Sequence, residues 1–202
     1  MLPFREKNGY FGMESKNGQK ELMQLKALVD KLPKKIKIPI KRLKELSEFF
    51  LRLPDSFIEA NSVVSTPYGR NVLVKTSNLE ILLIVWGKQA KSWPHDHNKS
   101  EGVMTVKKGS GYVQGVSIKD HQLYPAGKKK FSEGDALEVV KGEMHIIANP
   151  DPFRRLITFH AYSPPITAMK VFDPNGDDVF IVTDDCGAWR PRPDQIIKKY
   201  KL

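Results

Sequence analysis

The chain has 202 residues, a formal net charge of +10, 40% hydrophobic residues and one cysteine. A chain of this length buries roughly two-thirds or more of its unfolded surface unaided. One cysteine excludes an internal disulfide framework and fits a reducing compartment, so a cytoplasmic location is expected. No stretch reaches the roughly 18 apolar residues of a membrane span, and the lysines and arginines are scattered from Arg5 to Lys201, as on a solvated surface rather than a nucleic-acid footprint.

Residues 1–18 mix Gly, Asn, Lys and Ser without periodicity and read as a loose arm, with 19–202 as a single domain. Leu22, Leu25, Leu28, Val29 and Leu32 recur at helical spacing until Pro33. A second stripe, Leu43, Leu46, Phe49, Phe50 and Leu53, lies between Pro39 and Pro54. From Asn71 the period changes. Short apolar, β-branched runs at 71–76 and 79–86 precede strand candidates at 103–106, 112–118, 136–140, 145–148, 156–162, 169–172 and 179–182, separated by Gly, Pro and Asp turns. This pattern predicts a mainly β fold, a small barrel or sandwich, with the helices packed outside. Lys128, Lys129 and Lys130 read as a loop tip, and residues 187–202 as proline-spaced coil ending in a short helix.

His95 and His97 are two residues apart, so on extended backbone both rings leave from one face. His145, at the end of the β segment, supplies a third imidazole. Imidazole suits iron, copper, nickel, manganese or zinc, and three protein ligands leave positions open for water or substrate. Cys186 lies far along the chain and is not among the expected ligands.

The punctuation around these histidines resembles the paired motifs of the cupin family. His95, His97 and Glu101 stand at its spacing, with Gly109 one residue late; Gly134, Gly142, His145 and Asn149 follow, with Val140 where a proline is usual. Four further stretches are similar to the cysteine dioxygenase family: YGRN from Tyr68, WG at Trp86 and Gly87, TFHAYSPP from Thr158 and MKVFD from Met169. The resemblance implies a cupin barrel, a small jelly roll, holding mononuclear Fe(II) on His95, His97 and His145 and adding both atoms of O₂ to the sulfur of L-cysteine to give the sulfinic acid. It implies that Arg70 grips the substrate carboxylate with help from Tyr68. Tyr162 matches the active-site tyrosine and His160 its partner, Thr158 is placed to join them, and Trp93 is expected in the pocket wall.

In the better-known animal pattern a cysteine at the place of Gly102 becomes linked to the tyrosine matching Tyr162. Here that link cannot form, as in bacterial members. Glu101 is expected outside the first coordination shell, and the SPP turn implies a cis Ser163–Pro164 bond. The expected partners are a small thiol and O₂, with no nucleic acid or membrane, in a monomer or weak homo-oligomer. The competing readings are a dioxygenase for 3-mercaptopropionate or another small thiol, and a non-catalytic metal-binding cupin sensor.

Overall fold

Proline sets the start of two of the helices that cover the sheet. The computed structural model describes residues 10–11, 18–34, 36–63, 65 and 67–202. These open on a two-residue strand, β1 (Tyr10–Phe11), followed by α1 (Gln19–Asp30), α2 (Ile40–Arg52) and α3 (Asp55–Asn61). The rest of the expected arm, 1–9 and 12–17, lies outside the described residues. Pro39 and Pro54 occupy the N-caps of α2 and α3 in extended backbone, where a missing N–H breaks no helical bond. The seven-residue α3 is too short to show a period, so the sequence reading passed over it.

One sheet has the order β1-β2-β3-β9-β4-β7, with β2 (Tyr68–Lys75), β3 (Glu80–Trp86), β4 (Glu101–Lys108), β7 (Ala136–Val139) and β9 (Leu156–Ser163). Every residue of β3 is buried, so both of its faces must be covered. Ile81, Leu83 and Val85 share a core with Leu25, Leu43, Leu46 and Phe50 of the helices. Leu82, Ile84 and Trp86 point the other way and pack with Tyr68, Met104, Val106 and Tyr162 inside the barrel. The period-2 alternation of a strand thus separates a helix-facing core from the site-bearing interior.

The facing layer consists of two three-stranded sheets. One is β6-β5-β8, from β5 (Ser110–Lys119), β6 (Gln122–Ser132) and β8 (Met144–Ala148). The other is β10-β11-β12, from β10 (Lys170–Phe172), β11 (Asp178–Val182) and β12 (Ile196–Lys201). His95 joins them, forming isolated bridges to His145 on one side and Val171 on the other. The architecture is mainly β with N-terminal helices outside, a cupin fold.

Two segments differ from expectation. Lys128, Lys129 and Lys130 lie within β6 rather than at a loop tip. β6 is an edge strand, where exposed lysines discourage further pairing and Pro125, beside a register shift at Gly115/Val116, costs little. The chain end is a 3₁₀ turn, Pro193–Gln195, followed by β12 antiparallel to β11, not a helix. Its IIKKYK pattern satisfies either period, and the free edge of β11 decides.

The helix layer is attached by aromatic stacking. Phe50 of α2 lies 4.7 Å from Phe159 of β9, ring planes 3° apart, and both are fully buried. Phe50→Ala is expected to lower the free energy of unfolding by about 3–5 kcal/mol, since little else can fill the space; urea denaturation followed by circular dichroism measures it.

Candidate metal centre

His95 is held by backbone before its ring is considered. Its N–H donates to the His145 carbonyl, and the His145 N–H donates back, both at 3.0 Å. The Phe172 N–H reaches Pro94 O at 2.9 Å, which fixes the other side. His97 follows two residues later, outside any named strand, so the pair comes from an extended bridge rather than a regular strand.

The three rings converge. Centroid separations are 5.0 Å for His95–His97, 4.8 Å for His95–His145 and 4.9 Å for His97–His145, and one potential ligand atom from each lies within 4.8 Å of the others. All three are buried. Burial pushes His95 down to about 4. Burial also holds His97 and His145 well below the usual histidine range, and for these two the neighbouring imidazoles add to the effect. The rings are therefore neutral, with lone pairs available.

Donor geometry fits a bound metal. His95 Nδ1 lies 2.9 Å from the Trp93 carbonyl, which can only accept, so Nδ1 carries the hydrogen and Nε2 the lone pair. His97 Nδ1 and His145 Nε2 are buried without a hydrogen-bond partner. Unpaired buried nitrogens are costly, and a cation bound through such a nitrogen would relieve that cost. Neutral nitrogen donors suit a divalent first-row ion, whose identity the donor set alone does not fix.

A polarised hydrogen-bond chain runs along the inner face of β9 to this centre. Trp86 Nε1–H donates to Thr158 Oγ1 at 2.9 Å. Thr158 Oγ1 is 2.9 Å from His160 Nε2, and His160 Nδ1 is 2.9 Å from the Tyr162 hydroxyl. Indole can only donate, and among the described residues the Thr158 hydroxyl has no acceptor except His160 Nε2. His160, pushed down to about 3 mainly by burial, is neutral and carries its hydrogen on Nδ1. The Tyr162 oxygen therefore accepts from His160, which leaves its own hydrogen for the metal side, where His97 Nε2 lies at 3.4 Å. Burial also raises the Tyr162 pKa, so the phenol stays protonated.

Across the cavity, Tyr68 and Arg70 of β2 present polar groups. The Ala188 N–H donates to the Tyr68 hydroxyl at 2.6 Å, so that hydroxyl is free to donate in turn. Arg70 Nη2 pairs with Glu80 Oε1 at 2.6 Å, while Lys75 Nζ lies 3.9 Å from the same oxygen and 3.0 Å from Asp184. Tyr68, Arg70, His95, His97, His160 and Tyr162 line one cavity, but the lining of that cavity does not include His145.

Glu101 points away from the centre and pairs with Lys37 at 2.6 Å. Gly102 stands opposite Tyr162 across the β4/β9 pairing. A Cβ there would press on the Ala161 carbonyl and come 2.5 Å from Tyr162 Cδ1. The space over Gly102 belongs to the tyrosine ring itself, not to substrate or water. Ser163–Pro164 is cis. Trp93 contributes its carbonyl to His95, and its ring packs only partly buried against the interior cluster.

Two contributors escaped the sequence reading. Cys186, Gly187 and Ala188 form a cavity wall, although the tail showed no motif; burial pushes the Cys186 thiol up to about 11. Glu80 is a fully buried carboxylate, and the signal was present: it is the one charged residue in LEILLIVW, and such a residue needs a partner.

Residues 13–175 match the family model described as cysteine dioxygenase type I. Among solved structures, a conserved protein with a double-stranded β-helix domain from Klebsiella pneumoniae is 18% identical, with 55% of this chain and 90% of that one covered at a TM-score of 0.46. KdgF from Halomonas sp. is 20% identical, covering 50% of this chain and 83% of its own, at 0.42. An RmlC-like cupin from Shewanella frigidimarina is 19% identical, covering 51% and 81%, at 0.41.

Alanine at His95, His97 or His145 is expected to abolish stoichiometric metal binding after dialysis against Fe(II), read by elemental analysis; full retention in all three variants would place the metal elsewhere. Gly102→Ala is expected to displace the Tyr162 ring and lower thermal stability, which a crystal structure and a melting curve test.

Proposed function

The chain belongs to the cysteine dioxygenase type I family, and from that premise we propose that it is a non-haem Fe(II) thiol dioxygenase that converts L-cysteine and O₂ to L-cysteine sulfinic acid. The observation that carries this reading is the joint lining of one cavity by Arg70, Tyr162 and two of the three metal-competent histidines, His95 and His97. Fe(II) held by His95, His97 and His145 would supply Lewis acidity towards a thiolate and the electrons that activate O₂.

The roles of the chain's own groups follow from their donors. Arg70 keeps N–H groups beyond the one given to Glu80, and a planar guanidinium meets a carboxylate with parallel hydrogen bonds. Tyr68, already accepting from Ala188, donates its own hydrogen to the same carboxylate. Substrate held at that end presents its sulfur towards the histidines. Tyr162, accepting from His160, directs its O–H towards oxygen or sulfur and stabilises charge developing there. The apolar walls from Leu82, Ile84 and Trp86 lower the local dielectric, which strengthens each of these contacts.

The test is anaerobic loading with Fe(II), then oxygen uptake with L-cysteine, cysteamine and 3-mercaptopropionate in parallel, with mass spectrometry of the product formed under ¹⁸O₂. Two labelled atoms in cysteine sulfinate are expected. Faster uptake with 3-mercaptopropionate would move the substrate to that thiol, and no uptake with any thiol would favour a metal-binding sensor. Arg70→Ala is expected to cost cysteine about 2–5 kcal/mol in kcat/KM by removing a buried charge partner, and cysteamine, which has no carboxylate, far less.

A further inference from the structure

Glu80 begins β3 with 0% of its side chain exposed, while the side chain of its partner Arg70 is 9% exposed. Its Cα stands in register between Lys75 of β2 and Tyr162 of β9, in the row of side chains that faces the cavity. Oε1 accepts from Arg70 Nη2 at 2.6 Å, and Oε2 accepts from the Ile166 N–H at 3.3 Å, so each carboxylate oxygen has a fixed partner. Among the described residues Glu80 is the only group to which Arg70 gives a hydrogen bond.

A guanidinium turns about long torsions unless one edge is held. Glu80 takes one Nη from behind, and Ile166, a residue of the cavity wall, holds the Glu80 carboxylate in place. The remaining N–H groups of Arg70 are then directed at the cavity before a ligand arrives.

We propose that Glu80 is the positioning residue for Arg70, fixing its guanidinium in the orientation that receives a substrate carboxylate. The inference rests on the reading of Arg70 as the carboxylate site, and it assigns no direct substrate contact to Glu80.

Two readouts test it on the full-length protein. In ¹⁵N-arginine NMR spectra of the wild-type protein, the two Arg70 Nη signals are expected to be separate, because the Glu80 pair slows rotation of the guanidinium; in Glu80→Gln they merge. In the Fe(II)-loaded enzyme, Glu80→Gln is expected to raise KM for L-cysteine at least about tenfold, the worth of one charge-assisted hydrogen bond. Its kcat should change by less than about threefold and the cysteamine parameters by less than about twofold, as for an interaction used only in binding the carboxylate. Unchanged Arg70 signals, or equal KM increases for both thiols, would overturn the proposal, the second because it marks general loosening. Should Glu80→Gln fail to fold, Glu80→Asp decides by the same readouts: it keeps the charge but withdraws it by one methylene, and the same merging of signals and selective rise in KM are expected. If the wild-type protein does not oxidise cysteine, the substrate reading fails and the Arg70 spectra alone decide the role of Glu80.

Discussion

Three imidazoles buried side by side, two of them with an unpaired nitrogen, are the constraint on which the rest of the structure depends. Desolvation keeps the rings neutral and makes each unpaired nitrogen costly, so the fold must offset that cost with apolar packing elsewhere. The means are visible in the two-sided burial of β3 and β9. One face of each strand packs against helices and the other builds the cavity, so a single sheet carries both the stabilising core and the polar site.

The polar groups inside are arranged in rows set by strand register. Glu80, Tyr162 and Gly102 lie side by side across β3, β9 and β4, and Leu82, His160 and Met104 form the next row. A glycine at 102 lets the Tyr162 ring lie flat against β4. Trp86, which cannot accept, orients Thr158, His160 and Tyr162 in turn, so the direction of the hydrogen-bond chain is set by a residue whose side-chain hydrogen bond goes to Thr158 alone among the described residues. The opposite wall depends on a segment remote in sequence. Residues 183–189 are tied back by Asp184 to Lys75, by the Trp93 N–H to Ala188 O and by the Ala188 N–H to Tyr68.

Local signals were legible where a side chain's chemistry and a simple period coincided. The stripes of α1 and α2 could be read because a proline follows each, and β3 and β9 because their apolar runs are short and β-branched. β6 was missed because Pro125, Gly127 and three lysines are turn-like residues whose strand role depends on being at an edge. The tail was misread because IIKKYK has no intrinsic preference strong enough to choose between helix and strand; pairing with β11 makes the choice.

The sequence by itself determined that the chain is mainly β, that two helices precede the sheets, and that three histidines are candidates for one ion, since periodicity and ligand chemistry are local properties. Only the tertiary structure decided that His95 bridges two sheets, that Glu101 turns outward to Lys37, that Arg70 is met by Glu80, and that Cys186 and Ala188 form a cavity wall. Each of these depends on strand order and register, which bring together residues 10 to 120 positions apart; such contacts leave no period or spacing in the chain to be read.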